Sequence, residues 1–130
     1  MHTLTDFTSS LKLTRLDRSA AKPSPSPIFV GHVETQNLVS EGDTDLLRVT
    51  AVTFADGARN LWHAHSTDQV LVVTEGRGIV ATEDEEIVLG EGDVVMIPAG
   101  RRHWHGAAAG ETFTHLSILT PGEMTIDETV

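Results

Sequence analysis

The chain has 130 residues, and 9 basic against 19 acidic side chains give it a formal net charge of −10 at pH 7. This length supports one domain with its own core, and the negative charge argues against nucleic acid or an anionic membrane as a main partner. Cysteine is absent, which excludes disulfides, thiolate metal ligands and a thiol nucleophile. We expect a cytoplasmic protein, because no apolar run approaches the roughly 20 residues of a membrane span and the N-terminus lacks a secretion signal.

The first 27 residues differ in character from the rest of the chain. A short mixed segment leads into an alternating Pro-Ser stretch, in which three prolines stand at every second position within residues 20–27. Prolines at this spacing interrupt both helices and inner strands. We therefore expect residues 1–27 to form an N-terminal arm with an extended linker, and residues 28–130 to form the folded domain.

From residue 28 onward, short runs of β-forming residues alternate with turns rich in glycine, proline and aspartate. Runs spaced by about 8–12 residues are typical of antiparallel sandwiches and barrels, and no segment has a sustained helical period with caps. The sequence therefore predicts an all-β domain. The predicted strands are Ile28–Val33, Arg48–Phe54, Asn60–His65, Gln69–Thr74, Arg77–Thr82, Glu86–Leu89, Asp93–Ile97, Arg102–Ala107 and Glu111–Leu119.

Histidine is concentrated in the second half of the chain, where five of the seven copies lie between residues 63 and 115. His63 and His65 are two apart in a predicted strand, so their side chains leave the same face, and Gln69 begins the next strand. His103 and His105 form a second pair of this kind, which offers a third imidazole. Three imidazoles and one oxygen ligand are a common site for Mn, Fe, Ni, Co or Zn.

The spacing of these residues resembles the two sequence motifs of the cupin family. The resemblance covers about residues 45–120, with motifs at residues 57–76 and 92–107. It implies a cupin double-stranded β-helix, which is a jelly-roll barrel with a metal inside. It also implies that the metal ligands are His63, His65, Gln69 and His103. The motifs read Gly57-x5-His63-x-His65-x3-Gln69-x6-Gly76 and Gly92-x5-Pro98-x-Gly100-x2-His103.

Two positions depart from the general cupin pattern. The family usually has glutamate where Gln69 stands and asparagine where Ala107 stands. A neutral amide leaves the metal centre one unit more positive than a carboxylate would, so the metal should be a stronger Lewis acid. Both departures match the small manganese-dependent cupins with hydroxynitrile lyase activity. The chain is also similar to them at Gly57-Ala58-Arg59, Trp62-His63-x-His65, Gly92-Asp93-Val94-Val95, His103-Trp104-His105-Gly106-Ala107 and Thr114-His115-Leu116.

This narrower resemblance implies a lyase that cleaves or forms the C–C bond of a cyanohydrin, with Mn as the Lewis acid. His105 and His115 are the candidate base and acid, because an imidazole titrates near neutral pH. The resemblance places His115 in the pocket, and it gives Thr50, Val52 and Leu119 as candidate walls of the substrate pocket.

Two other functions stay open at this point. One is an iron or nickel dioxygenase of the quercetinase kind, which Gln69 makes less favourable because the usual carboxylate is missing. The other is a non-enzymatic cupin that binds a metal or a small molecule. We also expect a homodimer, formed through the edge of the Ile28–Val33 strand and the N-terminal arm.

Overall fold

The computed structural model describes residues 11–127; residues 1–10, which belong to the predicted arm, and residues 128–130 lie outside the described part. Between residues 11 and 127 the chain forms thirteen strands and one 3₁₀ turn at Arg18–Ala20. That part contains no helix with the length and apolar character needed to cross a membrane. The strands are β1 (Lys22–Pro23), β2 (Phe29–Val30), β3 (Val33–Val39), β4 (Arg48–Phe54), β5 (Arg59–Asn60), β6 (Trp62–His65), β7 (Gln69–Gly76), β8 (Gly78–Ala81), β9 (Glu86–Leu89), β10 (Val94–Ile97), β11 (Trp104–Ala107), β12 (Phe113–Leu119) and β13 (Met124–Asp127).

The strands form two larger antiparallel sheets and one small one. The first sheet has the order β1-β3-β4-β12-β7-β10, the second has the order β2-β5-β11-β8-β9, and β13 pairs with β6. One hydrophobic cluster is shared by both larger sheets, so the sheets face each other. This architecture confirms the predicted all-β jelly-roll barrel.

Alternation along the strands decides which side chains enter the interior. In β7, Gln69, Leu71 and Val73 are buried and the residues between them are half-buried. The rings of Phe54 and Phe113 stack in the core with centroids 6.0 Å apart. Aromatic burial of this kind contributes much of a small core's stability. Both rings also pack against His115, each with its centroid 5.6 Å from the imidazole centroid.

Two predicted strands need correction, and the strands β3 and β13 were missed. The predicted strand Ile28–Val33 is wrong, because only Phe29–Val30 is extended there and a longer strand begins at Val33. That longer strand, β3, was not predicted because its sequence VETQNLV is mostly polar. It forms because its backbone pairs with β4 on one side and β1 on the other, and this pairing outweighs local propensity.

The predicted continuous strand Asn60–His65 is interrupted at Leu61. The Leu61 N–H bonds to the carbonyl of Ile28 at 2.7 Å, and β5 ends at Asn60 while β6 begins at Trp62. The break at Leu61 shifts the alternation of inward and outward side chains by one residue, so both Asn60 and His63 point into the barrel. The C-terminal strand β13 was also missed, because its four residues carry no strong strand signal.

The described part of the N-terminal arm packs on its own barrel. Lys12 forms an ion pair with Asp43, and Arg18 forms one with Glu75 at 2.8 Å. The Pro-rich linker contributes the edge strand β1 to the six-stranded sheet. Residues 11–27 therefore cover part of the outer face of that sheet.

Two glycines of the cupin-like motifs have a positive φ, a backbone conformation that glycine adopts without strain. Gly76 has a φ of 76° and Gly100 a φ of 80°. A side chain at position 76 would also collide with the carbonyl of Thr112, so only glycine fits there.

Candidate metal centre

The polar interior of the barrel surrounds a cavity of about 140 Å³. Its lining combines histidines with apolar side chains, and it draws on both sheets and on β13. A cavity with a few polar groups set among apolar ones is the usual form of a small-molecule site. It is lined by Ile28, Phe29, Val52, Asn60, His63, His65, Gln69, His105, His115, Ser117, Leu119 and Met124.

His63 and His103 are held together by the backbone. The two residues form an antiparallel bridge in which each N–H donates to the carbonyl of the other at 2.9 Å. Their ring centroids are 4.3 Å apart. Residues paired in this way project side chains from the same face, so two ligand-type side chains that are distant in sequence become neighbours.

Each of the two rings is also oriented by a hydrogen bond to the backbone carbonyl two residues before it. His63 Nδ1 lies 2.7 Å from the carbonyl oxygen of Leu61, and His103 Nδ1 lies 2.9 Å from that of Arg101. A carbonyl only accepts, so each Nδ1 carries the proton and each Nε2 keeps its lone pair. The Nε2 atom of His103 is buried and has no hydrogen-bond partner in the described structure.

Gln69 contributes a second buried acceptor without a partner. Its Nε2 donates to Ser117 Oγ at 2.8 Å, and its Oε1 is buried without a hydrogen bond. A buried acceptor that lacks a donor costs free energy unless another group satisfies it. Of the three buried side-chain atoms without a partner in the described structure, a bound cation would satisfy those on His103 and Gln69, and the third is Nδ1 of His115.

Three imidazoles lie close enough to bind one metal ion. His63, His103 and His105 each place a ring nitrogen within 4.8 Å of the others. The sequence predicted His65 in this role instead of His105. The His65 ring lies 5.1 Å from that of His63 and 6.0 Å from that of His103, measured between centroids, so it adjoins the same cluster.

His105 and His115 form a buried hydrogen-bonded pair, with His115 Nε2 lying 3.1 Å from His105 Nδ1. Asn60 adjoins this pair: its Oδ1 accepts the backbone N–H of His105 at 2.8 Å. Because a backbone N–H can only donate, the amide orientation of Asn60 is determined. Its Nδ2 therefore faces the His105 ring, at 3.2 Å from Nε2 and 3.3 Å from Nδ1.

Burial keeps these imidazoles neutral. Desolvation, with smaller contributions from His103 and His65, lowers the pKa of His63 to about 3. Desolvation lowers the pKa of His115 to about 4 and that of His105 well below its ordinary value. The pKa values of His65 and His103 are lowered for the same main reason. At neutral pH the cluster therefore offers lone pairs rather than positive charges.

Of the three residues predicted to form walls of the substrate pocket, two line the cavity and one does not. Val52 and Leu119 line the cavity. Thr50 is not among the lining residues, and it lies directly across from Ser117 in the pairing of β4 with β12.

Sequence reasoning missed several residues of the cavity. Ser117 could have been found, because it stands midway between His115 and Leu119 on one strand and so shares their face. Asn60 could not, because the irregularity at Leu61 is invisible in the residue pattern. Met124 was missed together with the strand that carries it.

The two tryptophans beside the histidines lie outside the cavity. Arg102 stacks over Trp62 at 4.2 Å and Arg59 over Trp104 at 4.5 Å, measured from the guanidinium carbon to the ring centroid. Arg102 also pairs with Asp127 of β13 at 3.0 Å. These contacts brace the backbone around His63 and His103 from the outside.

Comparisons with known proteins show the family and the fold of the chain. Residues 50–119 match the cupin domain. An (R)-mandelonitrile lyase from Granulicella tundricola is 37% identical over 109 residues, which cover 83% of each chain. A cupin-like protein from Thermotoga maritima superposes with a TM-score of 0.78 at 35% identity, covering 83% of this chain and 85% of that one. The polyketide cyclase RemF from Streptomyces resistomycificus shares the fold, with a TM-score of 0.72 at 20% identity over 83% of this chain and 79% of that one.

Proposed function

Because the chain belongs to the cupin family, we propose that it is a divalent-metal-dependent lyase that cleaves or forms the C–C bond of a cyanohydrin. The observation that carries the proposal is the hydrogen-bonded His105–His115 pair, which lines one cavity with His63, His65 and Gln69. The pair adjoins a group of three histidines that could hold a metal ion. The similarity to a mandelonitrile lyase over most of both chains supports the choice of reaction.

The residues present fit a divalent transition metal. Two buried acceptors, Gln69 Oε1 and His103 Nε2, have no hydrogen-bond partner in the described structure, and His63 adjoins them with its Nε2 lone pair. Nitrogen-rich sites with one neutral oxygen suit Mn, Fe, Co, Ni or Zn, and we propose Mn from the resemblance to the manganese-dependent lyases. When bound, the ion would act as a Lewis acid on a substrate oxygen or nitrile.

We propose that His65 supplies the third imidazole ligand, although in this structure it is His105 that joins His63 and His103 in a group with ring nitrogens within 4.8 Å of one another. Both ring nitrogens of His105 already have partners, in Asn60 and His115. Within the described structure, the His65 ring makes no hydrogen bond and is only half-buried, so it is free to turn toward a cation.

His105 and His115 would then handle the proton of the reaction. A neutral imidazole in this pair accepts the proton of the cyanohydrin hydroxyl, the electron pair of the C–C bond leaves with cyanide, and the carbon becomes an aldehyde. The same proton is returned to cyanide, which leaves as hydrogen cyanide. The 3.1 Å contact between the rings lets the proton be shared within the pair.

Apolar side chains complete the site. Phe29, Val52, Leu119 and Met124 line the same cavity as the polar groups and would hold the carbon skeleton of the substrate while excluding water. A cavity of about 140 Å³ limits the substrate to a small molecule.

The direct test is cyanide release from mandelonitrile by the Mn-loaded protein. We expect turnover that does not consume oxygen, that is abolished in His63→Ala, and that persists in His32→Ala, which changes an exposed histidine paired with Glu34. No cyanide release by the Mn-loaded protein would contradict the proposal. Oxygen consumption with a flavonol or an enediol would favour a dioxygenase instead.

A further inference from the structure

Ser117 and Gln69 form a buried side-chain pair across two neighbouring strands of the six-stranded sheet. In the pairing of β12 with β7, Leu119 lies opposite Gln69 and Ser117 lies opposite Leu71. Ser117 is therefore the diagonal neighbour of Gln69 on the same face, within reach of a long side chain. The Gln69 Nε2 atom donates to Ser117 Oγ at 2.8 Å, and both residues are more than nine-tenths buried.

The hydrogen bond gives the amide of Gln69 a direction. The amide has one donating end and one accepting end, and Ser117 engages the donating end. The carbonyl oxygen is consequently left buried without a donor, in the wall of the cavity that also contains His63 and His65. If the amide were reversed, two N–H groups would point at the histidines and would repel a cation.

We propose that Ser117 is a positioning residue that presents the Gln69 oxygen to the bound cation. This inference rests on the metal site proposed above and adds a residue to it. The hydroxyl of Ser117 accepts from Gln69 Nε2 in this structure, and this contact holds the amide in the orientation that a cation requires. Without this hydroxyl the Gln69 amide has no fixed orientation in the metal-free protein. Metal binding must then order the side chain, which weakens the affinity for the cation.

A merely structural role for Ser117 makes a different prediction. If the hydroxyl only satisfied the amide of Gln69, its removal would lower the stability of the fold and leave metal affinity unchanged. The two roles are therefore separated by measuring metal binding and folding stability on the same variants.

The experiment is a competition titration of Mn²⁺ against a chelator for the wild type, Ser117→Ala, Ser117→Thr and Gln69→Ala. We expect the affinity of Ser117→Ala to fall about 10- to 100-fold, as is typical when the partner of a metal ligand is removed. Ser117→Thr keeps a hydroxyl and should restore most of the affinity. Ser117→Cys, with nearly the same shape and a poor acceptor, gives the same test if the alanine variant does not fold.

A matched control lies on the same strand. Thr114 is as buried as Ser117, but its hydroxyl faces the other side of the sheet and bonds to Thr53 at 2.9 Å. Thr114→Val removes one buried hydroxyl from β12 and should leave Mn²⁺ affinity unchanged. Amide NMR of the metal-free protein provides a second readout, in which Ser117→Ala should shift the Gln69 side-chain NH₂ resonances and Thr114→Val should not.

The outcomes separate the inference from the proposed function. Wild-type affinity in Ser117→Ala together with weak binding in Gln69→Ala overturns the role of Ser117 and leaves the metal site standing. Wild-type protein that binds no Mn²⁺, or Gln69→Ala that binds as tightly as the wild type, overturns the site itself and the inference with it. Weakened binding in Ser117→Ala and Ser117→Cys, with Thr114→Val unchanged, supports the inference.

Discussion

His63 and His103 exchange two backbone hydrogen bonds of 2.9 Å, and their imidazole rings stand 4.3 Å apart between centroids on the inner face of the barrel. The proximity of the two candidate ligands is therefore a property of the sheet backbone rather than of flexible side chains. A rigid pair of ligands lowers the entropic cost of binding a cation.

The choice of the third imidazole ligand can be tested by comparing two single variants. We expect His65→Ala to lose most of its bound metal, because it removes a ligand. We expect His105→Ala to keep its metal and to lose turnover by about 10²- to 10⁴-fold, as is usual for a general acid–base group. Metal content and cyanide release are measured on the same samples, and loss of metal only in His105→Ala would reverse the assignment.

Asn60 should matter for turnover through His105. Asn60→Asp keeps an oxygen for the backbone N–H of His105 but replaces the amide nitrogen beside the ring with an acceptor. A carboxylate there favours the protonated imidazole, so we expect a fall in kcat with the fold retained. Asn60→Ala leaves the buried N–H without its acceptor and should cost about 1–3 kcal/mol of stability.

Unchanged kcat in Asn60→Asp, with normal metal content and a normal thermal transition, would contradict this role for Asn60.

The metal-free protein should lose stability as the pH falls from about 7.5 to 5. The pKa of His63 is about 3 and that of His115 about 4 in the folded chain, against an ordinary value of 6.5. Below about pH 6.5 the unfolded chain therefore binds protons that the folded chain does not bind. The free energy of unfolding that these histidines contribute above that pH is lost progressively on acidification. Carboxylates with ordinary pKa values near 4 contribute little in this window.

The measurement is the urea midpoint of the metal-free protein at several pH values in that range. A midpoint that does not change between about pH 7.5 and 5 would show that the histidines are not buried in the neutral form.

We propose that the chain forms a homodimer, as the sequence led us to expect. Strand β2, within the predicted contact region, lies at the edge of the five-stranded sheet, and Val30 in it is 49% exposed. An unpaired edge with an exposed apolar side chain favours pairing with another chain. Light scattering should give about twice the mass of the chain, and the mass of a single chain at micromolar concentration would contradict the proposal.

The sequence predicted the barrel, and it placed candidate ligands on shared strand faces, because both depend on short-range patterns. His63 and His65 share a face by alternation alone, and glycines at positions 76 and 100 mark turns with a positive φ. The same rule of alternation, applied from His115, predicts that Ser117 also faces the cavity, so the sequence did contain the signal for this residue.

Other features depend on pairing between distant segments and leave no local signal. The polar strand β3 forms because β4 and β1 pair with it, and β13 is ordered by its pairing with β6. Asn60 enters the cavity because the chain is irregular at Leu61, where the amide bonds to Ile28. No residue pattern in one strand reveals such contacts.

The measurement that tests the account most directly is the metal content of the purified chain after expression with several divalent metals supplied. We predict about one ion per chain, chiefly Mn, in the wild type and in the His32→Ala control, and almost none in the His63→Ala/His103→Ala variant. Equal metal content in the wild type and the double variant, or no metal in either, would contradict the central claim that these histidines form a metal centre.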